Sequence, residues 1–157
     1  MTIALVTQLA AALLARGAQM ATAESCTGGL IAGACTDIAG SSDWFERGFV
    51  SYSNQAKSEM LGVDAALIDA HGAVSEAVAL AMARGAVAHS RAQCSLAVTG
   101  VAGPGGGSPA KPVGTVWFGW CVDGHTDAEC LRFDGDRAAV RRQTVEHALR
   151  GLLRRLG

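Results

Sequence analysis

Nucleophilic side chains crowd one short stretch of the sequence, TAESCTGG at residues 22–29. Ser25 and Cys26 stand where an apolar run ends and a helical pattern begins. A hydroxyl at such a strand-to-helix turn is exposed beside unpaired helix N–H groups, which favour an anion or a developing oxyanion. A simpler interpretation is that Ser25 or Thr27 caps the helix, while the Gly28–Gly29 pair lets helix and strand approach. The residue types therefore indicate either an acyl-transfer nucleophile or a helix cap.

Cys26 is the rival nucleophile in this stretch. A helix N-terminus can lower the pKa of a thiol, but attack by cysteine normally needs an activating histidine. The four histidines, at positions 71, 89, 125 and 147, stand in no recognisable relation to Cys26. Cys26 is therefore predicted to be a packing residue.

Lysine is scarce in this chain, and that makes its two positions informative. Of the thirteen basic residues only Lys57 and Lys111 are lysines. Arginine cannot act as a base in proteins, whereas a lysine of lowered pKa can accept the proton of a serine. Taken alone, Lys57 most commonly indicates a surface residue, and Tyr52, the only tyrosine, fits either a strand aromatic or a proton relay. Ser25 and Lys57 thus form a candidate nucleophile and base.

A glycine-rich segment, VTGVAGPGGGSPAKPVG at residues 98–114, suggests a site for an anion. Glycines permit positive φ and close approach, so such a loop can present successive N–H groups to a phosphate or an oxyanion. The segment lacks GxxxxGK[ST], and Ser108 stands where GxGxxG needs glycine. A plain hairpin loop is the alternative. Arg137 and Arg141, one turn apart on the last helix, could add two guanidinium groups to a phosphate site.

Composition limits the classes of function. The formal charge of −1 and the 17% of charged residues argue against nucleic-acid binding. The five cysteines are odd in number and show no metal-like spacing, which predicts reduced thiols in a cytoplasmic protein and no metal. Residues 1–17 read as an amphipathic helix rather than a signal peptide, and no apolar run is long enough for a membrane span.

The elements that must position these side chains follow from apolar periodicity and turn residues. The predicted order is a helix ending at Gly17, a strand over 18–25, a helix over 28–39, a strand over 44–53, helices over 54–62 and 76–90, strands over 94–100, 114–122 and 127–133, and a final helix beginning near Asp136. The glycine-rich loop is too short for a crossover helix, so the strands that it joins should be antiparallel. The prediction is one α/β domain over residues 1–157, three layers thick, with a mixed five-stranded sheet.

Several ordered segments together resemble the C-terminal domain family of the competence/damage-inducible protein CinA. They are TAESCTGGLIAGACTDIAGSSDWFERGFVSYSNQAKSEMLGV, HGAVSEAVALAMARGA, AVTGVAGPGGG, KPVGTVWFG and GDRAAVR. The resemblance runs from about Gly17 to Leu149. Members of that family include nicotinamide-nucleotide amidohydrolases, which convert nicotinamide mononucleotide to nicotinic acid mononucleotide and ammonia. Larger members carry a further N-terminal domain, so this chain is expected to be a stand-alone form.

The resemblance also implies roles for particular residues. The family's serine and lysine match Ser25 and Lys57, and Tyr52 and Thr99 match further hydroxyls of its active site. The residues implied in substrate binding are Thr27, Gly28, Gly29, Asn54, Gly100, Ala102, Gly103, Gly105, Gly106 and Arg137. The implied chemistry is acyl transfer without metal or organic cofactor, in which Lys57 accepts the Ser25 proton and Ser25 attacks the carboxamide.

Two alternatives stay open from the sequence. The same serine and lysine could act on another small amide, or the chain could be a non-catalytic nucleotide-binding module related to competence and DNA damage. Retention of Ser25, Lys57, Tyr52 and Thr99 together favours an enzyme. Its expected partner is a small nucleotide rather than nucleic acid or membrane, and a mean hydropathy of +0.25 favours a homo-oligomer.

Overall fold

The computed structural model describes residues 2–157; Met1 lies outside the described residues. Helices and strands follow one another in the predicted order, with one additional α-helix and a single 3-10 turn at Ser41–Asp43. The elements are α1 (Thr2–Arg16), β1 (Met20–Glu24), α2 (Leu30–Thr36), β2 (Phe45–Val50), α3 (Asn54–Leu61), α4 (Ala65–His71), α5 (Glu76–Ala88), β3 (Cys94–Gly100), β4 (Thr115–Val122), β5 (His125–Arg132) and α6 (Arg137–Leu156).

The five strands form one mixed sheet in the order β2-β1-β3-β4-β5. β1 pairs in parallel with β2 on one side and with β3 on the other. β3, β4 and β5 pair antiparallel in succession, so the glycine-rich loop joins antiparallel neighbours as predicted. The predicted mixed five-stranded sheet is confirmed.

Helices cover both faces of the sheet, and alternation along the strands divides the core between them. One cluster joins Met20 of β1 and Leu96 of β3 to α1, α2 and α6. The other joins Ala21, Ala23 and Ala97 to α3, α4 and α5. Side chains that follow one another in β1 therefore face different helices, and this decides where the two residues at its end point.

The structure corrects the predicted boundaries in three places. Residues 65–71, where the sequence predicted no helix or strand, form α4. Asp64 caps this helix, because its Oδ1 accepts the Ala66 amide at 3.0 Å. α2 begins at Leu30 and ends at Thr36, so it is shorter than the predicted 28–39. β2 ends at Val50, because the chain then turns toward α3. Boundaries set by caps and turns are the part that periodicity predicts least well.

Within residues 2–157, no helix combines the length and the apolarity that crossing a membrane requires. α1 instead packs Val6, Leu9 and Leu13 into the core. Its predicted amphipathic character is confirmed by that packing.

Candidate active site

The carboxyl ends of the three parallel strands meet at one edge of the sheet. Ser25 follows β1 directly, and its amide donates to the Val98 carbonyl of β3 over 3.1 Å. Ser51 follows β2, and its amide donates to the Glu24 carbonyl over 2.9 Å. Crevices of open α/β sheets form at this edge, next to a strand whose two neighbours are reached by crossovers in opposite directions.

Lys57 lies directly against Ser25. The Nζ atom of Lys57 is 2.9 Å from Ser25 Oγ, and it donates to the carbonyl oxygens of Ser51 at 3.2 Å and Tyr52 at 3.0 Å. Lys57 is only 1% exposed, and Ser25 is 8% exposed. The structure thus brings together the serine and the lysine that lie thirty-two residues apart in the chain.

α3 delivers the lysine to this position. Ser53 caps the helix by accepting the Ala56 amide at 3.0 Å, so the first helical turn begins at Asn54. Lys57 is then one turn into the helix and faces the sheet. β1 delivers the serine, because the alternation of the strand continues past Glu24 and sends Ser25 toward the α3 face.

Burial lowers the pKa of the Lys57 ammonium below its ordinary value of 10.5, since an apolar site disfavours the charged form. The neighbouring Cys26 opposes this to a smaller extent. The ion pairs within residues 2–157 do not include Lys57, so no carboxylate restores the charged form. In the structure Lys57 Nζ donates to Ser25 Oγ, and the Ser25 hydroxyl donates to the Tyr52 carbonyl over 3.3 Å. Once Lys57 is neutral, two hydrogens of the amine suit the carbonyls, and its lone pair can accept the proton of the adjacent Ser25 hydroxyl.

Glu24, on the opposite face of the strand end, was not singled out from the sequence. Its side chain is buried, and its Oε1 accepts the amides of Gly29 at 3.3 Å and Ile31 at 2.9 Å. Oε2 accepts the Ala32 amide at 3.0 Å. A carboxylate thus satisfies the unpaired N–H groups at the start of α2. The available signal was an acidic residue at the end of an otherwise uncharged strand that leads into a helix.

The helix-cap interpretation of Ser25 and Thr27 is corrected by this arrangement. The residue that precedes α2 is Gly29, at φ 108°, and no side chain caps the helix from that position. Thr27 is fully buried and donates to Glu24 Oε1 at 2.5 Å. The Gly28 amide donates to the Ser25 carbonyl at 3.0 Å and closes a turn. Ser25 therefore does not cap α2.

Cys26 is buried beside the serine. Its burial raises the pKa of the thiol to about 11, which leaves it protonated near neutral pH. Its predicted packing role agrees with that burial, because the thiol belongs to the core cluster beneath α2 and α6.

A cleft of about 340 Å³ opens above Ser25 and Lys57. Most of the residues implied in the site line it: Ser25, Tyr52, Asn54, Lys57, Thr99, Gly100, Ala102, Gly103, Gly105, Gly106 and Arg137. Thr27, Gly28 and Gly29 do not line it, because they lie behind the serine and are used by the turn and by Glu24. Cys26, Ala73, Val74 and Val101 line it as well, and the sequence did not single out the last three.

The two further hydroxyls differ in their surroundings. Thr99 is buried, and its hydroxyl donates to the Ala73 carbonyl over 2.9 Å. Tyr52 is 59% exposed, and its hydroxyl makes no hydrogen bond within residues 2–157. The backbone carbonyl of Tyr52, rather than its phenol, is the group in contact with Lys57.

The glycine-rich loop forms one wall of the cleft, and several of its backbone amides are available to bind a ligand. The amides of Ala102, Gly103, Gly105 and Gly106 have no acceptor within residues 2–157. Gly103 and Gly106 have φ values of 81° and 85°, which turn successive N–H groups in ways that other residues rarely allow. Arg137 joins this wall, because its Nη1 donates to the Gly103 carbonyl over 3.0 Å. Free amides and a guanidinium together favour an anion.

Arg141 is not part of this wall, contrary to the expectation from helix spacing. Its guanidinium donates from Nε to the Cys26 carbonyl and from Nη2 to the Thr27 carbonyl, each over 3.1 Å. It therefore lies behind the nucleophile turn, whereas Arg137 lies at the cleft. The second lysine is also remote from the serine, because Lys111 Nζ donates to the His71 carbonyl at 2.8 Å.

The residues present do not suggest a metal site. Within residues 2–157, no group of three or more His, Cys, Asp or Glu side chains is arranged to hold a metal ion. The polar groups that line the cleft are hydroxyls, an amine, a side-chain amide, the protonated Cys26 thiol, backbone amides and a guanidinium.

Known proteins match most of this chain in sequence. The nicotinamide-nucleotide amidohydrolase PncC of Pseudomonas putida is 57% identical over 149 residues, which cover 95% of this chain and 93% of that protein. The protein of the same name from Escherichia coli strain K12 is 55% identical over 148 residues, covering 92% and 88%.

Solved structures share the fold as well. The crystal structure of the competence/damage inducible protein CihA from Agrobacterium tumefaciens superposes with a TM-score of 0.95 at 46% identity, covering 99% of this chain and 94% of that one. The family model described as CinA C-terminal domain matches residues 2–156. The chain therefore belongs to the CinA C-terminal domain family.

Proposed function

We propose that the chain is a nicotinamide-nucleotide amidohydrolase, which hydrolyses nicotinamide mononucleotide to nicotinic acid mononucleotide and ammonia. The observation that carries the proposal is the 2.9 Å contact between Lys57 Nζ and Ser25 Oγ at the floor of a cleft that can bind an anion. Relatives that cover nearly the whole chain at 55–57% identity carry that name. The proposed site consists of Ser25 and Lys57 as the reacting pair, with substrate held by the cleft walls.

Acylation begins with the proton of Ser25. Lys57 accepts it through its lone pair, and Ser25 Oγ attacks the carboxamide carbon to form a tetrahedral intermediate. The intermediate collapses when the carbon–nitrogen bond breaks, and the Lys57 ammonium returns its proton to the departing amine as ammonia. The ester that remains on Ser25 is then attacked by water, with Lys57 again accepting a proton. Release of the carboxylic acid restores the serine hydroxyl and the neutral amine.

The oxyanion of the intermediate needs a donor next to Ser25. Cys26 follows Ser25 in the chain and lines the cleft, and no other residue within residues 2–157 accepts a hydrogen bond from its amide. The amides of Gly28 and Gly29 are already used by the Ser25 carbonyl and by Glu24. We therefore assign the oxyanion to the Cys26 amide, rather than to the N–H groups at the start of α2 or to those of the glycine-rich loop, which the sequence left as alternatives.

The phosphate of the substrate is assigned to the glycine-rich wall. Ala102, Gly103, Gly105 and Gly106 offer amides, and Arg137 offers a guanidinium held by the Gly103 carbonyl. Asn54 lies at the cleft at the start of α3 and can bind the ribose hydroxyls. Thr99 and Tyr52 complete the lining, where they can assist transfer of the proton to the departing amine.

Assembly and location form part of the proposal. Large apolar side chains on α1 are exposed, Ile3 by 65% and Leu14 by 53%, which supports a homo-oligomer. All five cysteines are free thiols, and Cys130 is exposed, which suits a reducing cytoplasm.

The proposed activity is tested by following ammonia release from nicotinamide mononucleotide with the purified protein. We expect turnover and stoichiometric formation of nicotinic acid mononucleotide. Absence of ammonia from this nucleotide, combined with release from another small amide, would replace the substrate but keep the chemistry. Nucleotide binding without release from any amide would instead favour a non-catalytic binding module.

Loss of the Arg137 guanidinium should weaken substrate binding rather than the chemical step. For Arg137→Gln we expect KM for nicotinamide mononucleotide to rise about 10-fold or more with little change in kcat, because a charge-assisted contact to phosphate contributes about 1.5–3 kcal/mol. Nicotinamide riboside lacks the phosphate, so its KM should hardly respond. An equal rise in KM for both substrates would show that Arg137 does not bind the phosphate.

A further inference from the structure

Arg141 makes an unusual pair of contacts for an arginine of a surface helix. Its Nε and Nη2 atoms each donate over 3.1 Å, to the carbonyls of Cys26 and Thr27. These are the first two carbonyls after that of Ser25. The ion pairs within residues 2–157 do not include Arg141, so no carboxylate competes for the guanidinium. A forked donor on consecutive carbonyls constrains the orientation of both peptide planes.

Those peptide planes form the turn that carries the nucleophile. The Gly28 amide donates to the Ser25 carbonyl over 3.0 Å and closes the turn over residues 25–28. Gly28 has φ 59°, and a Cβ at this position would lie 3.5 Å from Arg141 Nη2, so the guanidinium packs on the turn itself. The Cys26 amide, assigned above to the oxyanion, lies inside the same turn.

Two side chains of opposite charge bind the backbone around the nucleophile turn: Glu24 accepts from its amides, and Arg141 donates to its carbonyls. The Glu24 carboxylate accepts the amides of Gly29, Ile31 and Ala32 at the start of α2. Arg141, which lies on α6, donates to the carbonyls of Cys26 and Thr27, which are 115 and 114 positions away in the chain. Within residues 2–157, these two Arg141 bonds are the only long-range side-chain hydrogen bonds to the carbonyls of the turn.

We propose that Arg141 is a positioning residue for acyl transfer, which holds the Ser25–Gly28 turn so that Ser25 Oγ and the Cys26 amide face the same substrate carbonyl. The inference rests on the proposed function and assigns a task that phosphate binding does not cover. The Arg141 guanidinium also places positive charge close behind the Cys26 amide, which is the proposed hydrogen-bond donor to the oxyanion. This charge favours the negatively charged intermediate. Arg137 and Arg141 therefore share one helix face but serve different steps.

The experiment compares Arg141→Met and Arg141→Lys with Arg142→Gln as a matched control, since Arg142 is exposed and makes no side-chain hydrogen bond within residues 2–157. For Arg141→Met we expect kcat to fall about 30- to 100-fold with KM changed less than threefold, because misplacing a reacting group or an oxyanion donor acts on the chemical step. Nicotinamide riboside should lose kcat by the same factor. Arg141→Lys, with one donor group in place of a fork, should lie between Arg141→Met and wild type.

A second readout separates positioning from folding and from substrate identity. Diisopropyl fluorophosphate phosphorylates a reactive serine oxygen with loss of fluoride, and it needs no nucleotide site. We expect Arg141→Met to slow this labelling of Ser25 about as much as it lowers kcat. Adding methylguanidinium to Arg141→Ala should restore part of the rate, whereas urea at the same concentration should not.

Several results would overturn the inference. Wild-type kcat in Arg141→Met would do so, as would a loss confined to KM for the phosphorylated substrate, because that is the signature of a phosphate ligand. A fall in labelling that simply follows the unfolded fraction in a thermal melt would show a structural role alone. If wild type releases no ammonia from nicotinamide mononucleotide, the proposed substrate fails, while unequal labelling of wild type and Arg141→Met still supports the positioning role.

Discussion

Replacing Ser25 by alanine is expected to lower kcat for nicotinamide mononucleotide by about 10⁴-fold or more. The substitution removes the atom that forms the acyl intermediate, and the remaining groups can only bind and polarise the carboxamide. KM should change little, because the hydroxyl occupies a small part of a cleft of about 340 Å³. Ammonia release under saturating substrate measures the effect.

The control for this variant is Ser42→Ala, an exposed serine in the 3-10 turn remote from the cleft. It should retain wild-type turnover. Mass spectrometry of the protein under turnover should detect an acyl adduct on Ser25 in wild type and none in Ser25→Ala. Substantial activity in Ser25→Ala, especially if Cys26→Ala abolishes it, would transfer the nucleophilic role to the thiol.

Replacing Lys57 by arginine or methionine is expected to lower kcat by about 10³-fold. Arginine keeps a positive charge but offers no base near neutral pH, whereas methionine keeps the buried stem without a charge. Both should lose activity to a similar extent, because the required group is the neutral amine. Lys111→Met, which removes the other lysine, should keep most of the activity, since Lys111 contacts the His71 carbonyl.

The pH dependence should identify the amine. Because burial lowers the pKa of Lys57, kcat/KM of wild type should rise with pH through an apparent pKa below 10.5 and then level off. The residual activity of Lys57→Met should lack this rise. A profile governed by the same rise in Lys57→Met would assign the titration to another group.

The same shift affects stability with a defined sign. Between the lowered pKa in the folded protein and 10.5 in the unfolded chain, the unfolded chain binds more protons at Lys57. The free energy of unfolding of wild type should therefore rise relative to Lys57→Met as pH increases through that window. Urea denaturation of the two proteins at several pH values measures the difference, and an opposite slope would contradict a lowered lysine pKa.

Much of the fold was predictable because it rests on local patterns. The apolar runs of β1 and β3, the glycine stop at Gly17 and the helix over 76–90 each appear in the sequence and recur in the structure, where Ser75 caps the start of α5. α4 was missed because seven residues carry little periodicity, and its cap at Asp64 resembles an ordinary loop aspartate. Short helices are stabilised by tertiary packing more than by propensity, and here Ile68 provides that packing.

The sequence predicted which residues belong to the site, but not which role each of them has. Ser25, Lys57 and Arg137 were singled out from residue type and resemblance, and they meet at one cleft. Glu24 was overlooked, because a carboxylate that reaches amides five to eight residues ahead is recognisable only when strand and helix are packed. Arg141 was grouped with Arg137 because helix spacing shows a shared face and not what lies opposite each residue.

By itself, the sequence determined which groups exist, where the strands end and which elements neighbour one another in the chain. Only the tertiary structure decided which groups meet. Proximity between Lys57 and Ser25 comes from pairing β1 with β2 and placing α3 on one face of the sheet. The lowered pKa of Lys57 likewise comes from burial without a carboxylate partner, because solvation and charge at a site depend on everything packed around it.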